Sequence, residues 1–430
     1  MKITKNNISF TDNTNELTPD TIFVSSKQNE NFLDIAKQNG NKIITDTQLS
    51  NYFDFSNIKI IGITGTNGKT TTAAAIYSIL LDLGYKVAFL GTRGLFVNDM
   101  KLKDYTLTTP VQLELFEDIE LSLQYDCEYF IMEVSSHALA QNRICGLDFA
   151  LKVHTNITRD HLDYHKTIDE YINIKNSFFK DESPKLINRD DKNVKYKLKN
   201  AISYGLDNPA TYKVQAFSFK DGMSVALQYF GNLYTFTNDL RGTFNVYNLT
   251  CAVASVHHLT KKPLQDICDM VENFAGVSGR MQTISYDPLV VVDFAHTPDG
   301  MKQIFESFKD KEIIVVFGAG GNRDKNKRAI MGKIAQEYAS FIYITSDNPR
   351  FEDPDAINEQ ILQGISEKSK VFVTLNRKDA IKNAIIKSKE YQNPVVLVLG
   401  KGDEQTQIIY DKEFPLNDHD IIKEFLNEYK

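Results

Sequence analysis

The chain has 430 residues, of which 42% are hydrophobic and 24% are charged, and its formal net charge is −7. This length exceeds what one hydrophobic core supports, so we expect an enzyme-sized protein of two or three domains. The negative charge disfavours nonspecific nucleic-acid binding, and no apolar run approaches the ~18 residues of a membrane-spanning helix. The polar stretch from Met1 to Asp12 does not resemble a signal peptide, so we expect a cytoplasmic protein without membrane insertion. The four cysteines form no Cys-x-x-Cys pair, which argues against a zinc site or a disulfide framework.

The first strong signal along the chain is a glycine-rich loop between a strand and a helix. Asn57 to Ile63 is an apolar run typical of a buried strand, and Thr71 to Leu83 carries Ala and Leu at helical spacing. The loop between them contains the residues expected to bind a nucleoside triphosphate, Gly65, Thr66, Asn67, Gly68, Lys69, Thr70 and Thr71.

Each residue type in this loop has a physical role. Gly65 and Gly68 allow backbone N–H groups to approach phosphate oxygens at the positive end of a helix dipole. Lys69 can reach the β- and γ-phosphates, and Thr70 can bind Mg²⁺. Ile63 stands where the standard eight-residue pattern has its first glycine. The order of strand, loop and helix nevertheless predicts a phosphate-binding loop.

The pattern of elements predicts an α/β protein with three domains. A short N-terminal α/β segment (1–55) precedes a central mononucleotide-binding domain (56–283), in which strand and helix signals alternate as in a parallel sheet. Within it, turns at Asp221-Gly222 and Gly231-Asn232 predict an antiparallel extension of the sheet. From about residue 284 the alternation restarts, which predicts a C-terminal Rossmann-like α/β domain (284–430).

Two polar clusters follow predicted strands of the central domain. Glu133 ends an apolar strand, and ligands of open α/β sheets bind at the carboxyl ends of strands, so Glu133 can share a Mg²⁺ with Thr70. The alternative is a solvated loop glutamate. The segment from Asn156 to His165 contains two histidines and two aspartates, which suit a second divalent cation. The i, i+4 spacing of His161 and His165 leaves a zinc site as an alternative.

Further motifs occur in a recognisable order. They are Glu133-Val-Ser-Ser-His137, Thr155-Asn156-x-x-Arg159-Asp160-His161-Leu162-Asp163, Gly242-x-Phe244-Asn245-x-x-Asn248, Gly279-Arg280-Met281 and Asp293-x-Ala295-His296-Thr297-Pro298. Together with the phosphate-binding loop, they resemble the Mur ligases, the ATP-dependent amide-forming enzymes of bacterial cell-wall synthesis. Within that family, the segments Leu107-Thr108-Thr109-Pro110, Asp347-Asn348-Pro349-Arg350 and Gly400-Lys-Gly-Asp-Glu404 resemble those of the ligases that add the third residue of the peptide stem.

The resemblance implies a reaction and a set of catalytic residues. The expected enzyme adds meso-diaminopimelate to the D-glutamate of UDP-N-acetylmuramoyl-L-alanyl-D-glutamate through an acyl phosphate, in peptidoglycan precursor synthesis. ATP and Mg²⁺ are the expected substrate and cofactor. The implied catalytic residues are Lys69, Glu133, His161 and Lys175, and Thr70 and Glu133 are metal ligands. His161 is implied as a ligand of a second metal ion, and Lys175 as a lysine carbamate made with CO₂ that also binds metal. Without the resemblance, Lys175 would be interpreted as a solvated helix lysine.

The resemblance also implies substrate-binding positions. Asn245 and Asn248 match residues on the adenine side of ATP. The positions implied for the UDP-muramoyl substrate are Thr108, Thr109, Ser135, Gln141 and Arg143. Those implied for diaminopimelate are Arg323, Asp347, Asn348, Pro349, Arg350, Gly400 and Glu404. Arg350 can bind the distal carboxylate of diaminopimelate bidentately but would repel the ammonium of lysine, while Glu404 suits the distal ammonium of diaminopimelate.

Two positions depart from the family pattern, and other functions remain open. Asp12-Asn13-Thr14 stands where the family has Asp-Ser-Arg at the uridine diphosphate end, and Asp403 replaces a histidine. A sibling ligase of the Mur or folylpolyglutamate synthetase type, with another amino acid, is the nearest alternative. A nucleotide-driven switch is an alternative from another class, for which Asn188-Arg189-Asp190-Asp191 is a poor match to a guanine-reading motif. We expect the protein to act as a monomer.

Overall fold

The computed structural model describes residues 1–104, 107–220 and 222–428. Asp221, which belongs to one predicted turn, lies outside the described residues. The chain divides into two compact units. The first comprises Met1–Ile157, Asp169–Asn238 and Val246–Phe274, and the second comprises Thr158–Ile168, Asp239–Asn245 and Ala275–Lys430. The domain boundaries drawn from sequence at 55/56 and 283/284 stay predictions.

The first unit begins with a four-stranded sheet. Its strands, in spatial as well as chain order, are β1 (Lys2–Lys5), β2 (Ile8–Thr11), β3 (Thr21–Ser25) and β4 (Ile43–Thr45). The first pair is antiparallel and the other two are parallel. Phe10 of β2 belongs to the same buried apolar cluster as Leu90 and Phe116 farther along the chain. This small sheet therefore shares its core with the rest of the first unit.

An eleven-stranded sheet forms the centre of the first unit. Its strands are β5 (Lys59–Thr64), β6 (Val87–Gly91), β7 (Gly94–Val97), β8 (Met100–Lys103), β9 (Tyr129–Glu133), β10 (Phe149–His154), β11 (Lys185–Asn188), β12 (Ala201–Gly205), β13 (Tyr212–Ser218), β14 (Met223–Tyr229) and β15 (Asn232–Asn238). The spatial order is β15-β14-β13-β12-β11-β10-β5-β9-β6-β7-β8. The neighbours from β12 to β6 pair in parallel, and the predicted antiparallel extension is present as β13 to β15.

Nine α-helices start among the described residues before residue 270. They are α1 (Leu33–Gln38), α2 (Asp46–Leu49), α3 (Lys69–Asp82), α4 (Gln112–Gln124), α5 (Ser136–Ala140), α6 (Leu162–His165), α7 (Ile168–Ser177), α8 (Thr243–Thr260) and α9 (Leu264–Met270). The apolar side chains of α3, such as Ile76, Ile79 and Leu80, are fully buried. This burial fixes the helix that follows the phosphate-binding loop, because a buried apolar face stabilises a helix more than its intrinsic propensity does.

The second unit contains a mostly parallel six-stranded sheet and a hairpin. Its strands are β16 (Gln282–Tyr286), β17 (Leu289–Asp293), β18 (Glu312–Phe317), β19 (Phe341–Ile344), β20 (Val371–Val373) and β21 (Pro394–Leu399), in the order β16-β17-β21-β18-β19-β20. The hairpin is β22 (Thr406–Ile409) with β23 (Lys412–Pro415). The helices are α10 (Pro298–Glu306), α11 (Asn326–Tyr338), α12 (Pro354–Leu362), α13 (Arg377–Ser388) and α14 (Asp418–Glu428).

Helices cover both faces of this sheet. One apolar cluster joins strand residues such as Val315 to Met331 of α11 and Ile361 of α12. A second cluster joins Val316 to side chains of α13 and α14. Burial on both faces explains the continuous Val and Ile runs of these strands, as expected for parallel sheets. None of the described helices is long and apolar enough to cross a membrane.

Candidate active site

The phosphate-binding loop connects β5 to α3 at the carboxyl edge of the first unit's sheet. Gly68 precedes the helix with a φ of 84°, a left-handed conformation that glycine adopts without a steric penalty. A Cβ atom at Gly65 would collide with the Thr155 hydroxyl and approach the Asn156 backbone to 3.0 Å. Both glycines are therefore required by the geometry of the loop itself.

Asn156, which follows β10, holds the loop from the neighbouring strand. Its side-chain oxygen accepts from the backbone N–H of Asn67 at 2.9 Å, and its amide nitrogen donates to the Asn67 carbonyl at 3.0 Å. The Thr155 hydroxyl donates to the same carbonyl at 2.7 Å, and the Thr66 N–H donates to the Asn156 carbonyl at 2.7 Å. The loop backbone is thus fixed before any ligand arrives.

Lys69, the first residue of α3, folds back over the loop. Its Nζ donates to the carbonyl oxygens of Gly65 at 2.8 Å and Thr66 at 3.0 Å. A cation in this position lies beside the N–H groups that the helix N-terminus presents to an anion. The arrangement fits the predicted contact of Lys69 with phosphates.

Thr70 and Glu133 meet as the sequence predicts. The Thr70 hydroxyl donates to Glu133 Oε2 at 3.0 Å, and the Thr92 N–H donates to Glu133 Oε1 at 3.1 Å. Glu133 is only 1% exposed, so the interpretation as a solvated loop glutamate is wrong. A hydroxyl and a carboxylate are hard oxygen ligands, and Mg²⁺ in nucleotide sites takes one or two of these plus phosphate oxygens and water. The pair therefore fits Mg²⁺.

Lys175 on α7 lies beside the same loop rather than in solvent. It is 2% exposed, and its Nζ donates to the Gly65 carbonyl at 2.8 Å and to the Thr64 hydroxyl at 3.3 Å. It also lies 5.1 Å from the ring centre of Tyr171, whose hydroxyl is 2.9 Å from the Thr66 hydroxyl. The interpretation as a solvated helix lysine is therefore wrong.

His161, the other implied metal ligand, belongs to the second unit. It precedes α6 with a φ of 52°, and its Nε2 lies 3.3 Å from Asp160 Oδ2. Burial opposes ionisation of Asp160, but the positive charges around it, among them His161 and Lys327, hold its pKa at about 2. His165 is buried, and the described residues contain no group of three or more His, Cys, Asp or Glu side chains that could hold a metal ion.

The residues implied for the UDP-muramoyl substrate form one connected group in the first unit. The Thr109 hydroxyl donates to the Glu133 carbonyl at 2.8 Å and accepts from the Ser135 N–H at 3.0 Å. Arg143 donates to the Thr109 carbonyl at 2.6 Å and to the Gln141 side chain at 2.9 Å. Thr108 joins the group through Thr92, with 3.2 Å between the two hydroxyl oxygens.

Gln141 and Arg143 also line a small cavity of about 20 Å³, together with residues from the N-terminal sheet region such as Asp12 and Gln28. Asp12 is one of the residues that stand where the family has Asp-Ser-Arg. Asp12 matches the family's Asp, and the departures are its neighbours Asn13 and Thr14. The cavity thus places the start of this segment beside two of the implied substrate residues.

The two asparagines implied for the adenine side lie one turn apart on α8. Asn248 belongs to the first unit, where its side-chain oxygen accepts from the Thr72 hydroxyl at 3.4 Å. Asn245 belongs to the second unit, where its side chain donates to the Arg241 carbonyl at 2.8 Å.

The residues implied for the amino acid cluster at the carboxyl edge of the second unit's sheet. Asn348, which follows β19, donates to Glu404 Oε2 at 2.9 Å. Lys401 is fully buried, and its Nζ donates to Asn348 Oδ1 at 3.1 Å and to Glu404 Oε2 at 2.7 Å. Asp347 is buried beside Gly400, and nearby cations such as Lys401 lower its pKa although burial opposes this.

Arg350 is held by its backbone as well as its side chain. Its φ is 51°, its N–H donates to the Ile408 carbonyl at 3.1 Å, and its carbonyl accepts from the Tyr410 N–H at 2.8 Å. The guanidinium donates to the Gly321 carbonyl at 2.9 Å. Burial and the positive charge of Arg323 lower the pKa of Arg350. The two side chains flank Gly320, where a Cβ atom would lie 3.0 Å from Arg350 Nη1 and 3.8 Å from Arg323 Cγ.

Sequence reasoning gave no role to several residues that support these sites. Asn156 and Lys401 belong to two of the family motifs. Their position at the carboxyl end of a strand could have indicated a role, because ligands of open α/β sheets bind at that edge. Arg328 and Glu352 carried no such signal, since a charged residue on a helix or in a loop is ordinarily solvated.

Comparison with known proteins agrees with this geometry. Residues 63–256 match the Mur ligase middle domain, and residues 279–402 match the Mur ligase, glutamate ligase domain. A UDP-N-acetylmuramoyl-L-alanyl-D-glutamate--2,6-diaminopimelate ligase of Wolinella succinogenes is 50% identical over 419 residues, covering 97% of this chain and 96% of that protein. The chain belongs to the Mur ligase family. A protein of the same name from Helicobacter pylori is also 50% identical, over 96% of this chain and 94% of its own length.

Solved structures of Mur ligases share the fold. One of a UDP-N-acetylmuramoyl-L-alanyl-D-glutamate--2,6-diaminopimelate ligase superposes with a TM-score of 0.67 at 29% identity, covering 98% of this chain and 94% of that one. A folylpolyglutamate synthase of Mycobacterium tuberculosis has a TM-score of 0.66 at 18% identity, which shows a common fold alone. The predictions of family, α/β fold class and ligase activity are confirmed.

Proposed function

We propose that this Mur ligase joins meso-diaminopimelate to the D-glutamate carboxylate of UDP-N-acetylmuramoyl-L-alanyl-D-glutamate, with ATP as the energy source, in peptidoglycan precursor synthesis. The observation that carries the choice of amino acid is the fixed position of Arg350, whose guanidinium flanks Gly320 together with the Arg323 side chain. Diaminopimelate has a carboxylate at its far end, and a guanidinium pairs with that group in a bidentate geometry. Lysine has no such carboxylate and would be repelled.

The first half of the reaction takes place at the phosphate-binding loop. An oxygen of the substrate carboxylate attacks the γ-phosphorus of ATP, the bond to the β-phosphate oxygen breaks, and ADP leaves. The loop N–H groups and Lys69 stabilise the charge on the transferring phosphoryl group. Mg²⁺, held by Thr70 and Glu133, would add to this charge stabilisation when bound.

The second half forms the amide. The neutral amine of diaminopimelate attacks the acyl phosphate carbonyl, inorganic phosphate leaves, and the amine releases a proton. The residues of the second unit orient this amine: Arg350 and Arg323 bind the distal carboxylate, and Glu404 binds the distal ammonium. Asp347, Asn348, Pro349 and Gly400 shape the remaining contact surface.

Lys175 acts in this proposal as a carbamate. A neutral Lys175 amine adds to CO₂ and loses a proton, which converts a cation into an anionic oxygen ligand. The burial of Lys175 and its contact with the Gly65 carbonyl of the phosphate-binding loop support this role. The carbamate would bind metal, and His161 is separately proposed as a ligand of a second metal ion.

The remaining implied residues bind the larger substrates. Thr108, Thr109, Ser135, Gln141 and Arg143 bind the UDP-muramoyl moiety through hydroxyl, amide and guanidinium groups. Asn245 and Asn248 lie on the adenine side of ATP.

The product mass tests the proposal. The purified protein is incubated with UDP-N-acetylmuramoyl dipeptide, ATP, Mg²⁺ and an equimolar mixture of meso-diaminopimelate, L-lysine and D-alanyl-D-alanine. We expect one product, with the mass of the diaminopimelate adduct, and phosphate release that requires both the dipeptide and the amino acid. A lysine adduct, or phosphate release without either substrate as in a nucleotide switch, would contradict the proposal.

A further inference from the structure

A fully buried arginine lies behind the amino-acid side of the second unit. Arg328 on α11 is 0% exposed and forms a two-pronged ion pair with Glu352, with N–O distances of 2.9 and 3.1 Å. Its two terminal nitrogens each donate once more, Nη2 to the Gly320 carbonyl at 3.0 Å and Nη1 to the Gln360 side-chain oxygen at 2.7 Å. The guanidinium therefore connects three segments of chain that are distant in sequence.

Glu352 fixes the loop that carries Arg323. Its Oε1 accepts from the backbone N–H of Asn322 at 2.5 Å, while its own N–H donates to the Pro349 carbonyl at 3.0 Å. The hydrogen bond from Arg328 contributes most to lowering the pKa of Glu352 to about 2. This carboxylate therefore stays ionised at any physiological pH. One ionised side chain thus joins the loop before α11 to the loop after β19.

The same two loops present Arg323 and Arg350. The Gly321 N–H donates to the Asn348 carbonyl at 2.9 Å, and Arg350 donates to the Gly321 carbonyl. Both arginine side chains flank Gly320, where a Cβ atom would lie 3.0 Å from Arg350 Nη1 and 3.8 Å from Arg323 Cγ, so two like charges are carried close together and repel each other. Without a rigid connection, repulsion would separate the loops when no carboxylate is bound, and each binding event would have to bring them together again.

We propose that Arg328 and Glu352 are positioning residues that hold Arg323 and Arg350 ready for the distal carboxylate of the incoming amino acid. Neither residue contacts the substrate in this proposal, and both act through the loops they join. The inference rests on the proposed function, because it assigns the two arginines to a dicarboxylic amino acid. Through this positioning role, the preference for one amino acid also depends on residues that do not contact the substrate.

Glu352→Gln in the full-length protein tests this inference. The substitution keeps the size of the side chain but removes the negative charge that pairs with Arg328. It also introduces an amide NH₂ group, a donor, into a site where Arg328 and the Asn322 N–H already donate. We expect the KM for meso-diaminopimelate to rise about tenfold, since displacing a binding group by about 1 Å costs up to about 100-fold. The KM values for ATP and for the dipeptide should stay within about twofold of the wild type. The preference for diaminopimelate over lysine in kcat/KM should fall.

A conservative variant and a matched control complete the design. Arg328→Lys keeps the positive charge but loses the planar fork, so we expect a similar rise in the KM for diaminopimelate. Glu424→Gln is the control, because Glu424 belongs to an exposed ion pair with Lys378 in the same unit, with 3.1 Å between the charged atoms. All its kinetic constants should match the wild type.

The outcomes separate two kinds of failure. If Glu352→Gln and Arg328→Lys turn over diaminopimelate at the wild-type rate and with the wild-type KM, the positioning role is overturned and the proposed function is not affected. A change in thermal stability does not alter this conclusion. Equal rises in all three KM values also overturn it, because they indicate a general structural role. If the wild-type protein does not use diaminopimelate, the proposed function fails and this inference fails with it.

Discussion

The carboxyl edges of the two sheets present ligand-binding groups in different ways. In the first unit, the loop from Gly65 to Thr70 presents mainly backbone N–H groups, fixed by Asn156 and by the start of a helix. In the second unit, the groups proposed to bind the amino acid are long charged side chains, Arg323 and Arg350, and the ion pair of Arg328 with Glu352 joins their loops. Backbone groups suit the phosphates that every ATP carries, whereas side chains can be exchanged to select one amino acid. In the proposed function, activation and specificity are therefore controlled in separate units.

The largest effect should follow from Lys69→Ala. We expect a loss of about 1000-fold in kcat, because removing a charge-stabilising group at a transferring phosphoryl costs ~10²–10³-fold or more. Amino-acid preference in the residual activity should not change, since Lys69 belongs to the first unit. The rate of phosphate release, measured separately with each amino acid, gives both kcat and the amino-acid preference. Lys86→Ala, at an exposed ion pair with Asp126, is the control. A changed preference would show that the two functions are not separate.

Lys175→Ala should reduce kcat by about 100-fold, because a metal-orienting group contributes effects of this order. Added acetate should restore part of the activity, since a small carboxylate can take the place of the carbamate oxygens. Lys152→Ala is the matched control, because Lys152 is also a buried lysine of this unit but pairs with Asp181. Acetate should have no effect on that variant. Full activity of Lys175→Ala would remove this residue from the mechanism.

Arg350→Ala should lower kcat/KM for meso-diaminopimelate by about 50-fold, which corresponds to the loss of about 2–3 kcal/mol from charged hydrogen bonds. ATP affinity, measured by calorimetry, should stay unchanged. The preference over lysine should disappear, because the repulsion of the lysine ammonium is lost as well. Arg189→Ala, at an exposed arginine of the first unit, is the control. Unchanged kinetics in Arg350→Ala would place the carboxylate contact elsewhere.

The smallest effect should come from Asn156→Ala. This change removes two hydrogen bonds to the Asn67 backbone, each worth about 1 kcal/mol, so the KM for ATP should rise about 30-fold. The KM for the amino acid should not move. Asn208→Ala, at an exposed asparagine, provides the comparison for general destabilisation. An unchanged KM for ATP would mean that the loop keeps its conformation without the side chain.

Local sequence determined the phosphate-binding loop almost completely. Glycines at two fixed positions, an apolar strand before them and a helix after them specify a backbone conformation within a few residues, so the prediction and the structure agree. The meeting of Glu133 with Thr70 was also predictable, because Glu133 ends a buried strand at the edge of the sheet where ligands bind. The alternation of strands and helices likewise determined the α/β class and the antiparallel extension.

Only the tertiary structure decided how distant residues meet. Lys175 looks like an ordinary surface lysine in its helix, and its burial against Gly65 depends on the pairing of β5 with β10 and on the position of α7. Arg328 and Glu352 are 24 residues apart in the chain, and no local pattern indicates that they form a buried ion pair. Spacing in sequence records the conformation of one segment, whereas contacts between segments follow from the order of strands in a sheet and from side-chain packing. The sequence therefore determined the conformation of the phosphate-binding loop, and the folded chain decided which charged side chains lie together in the second unit.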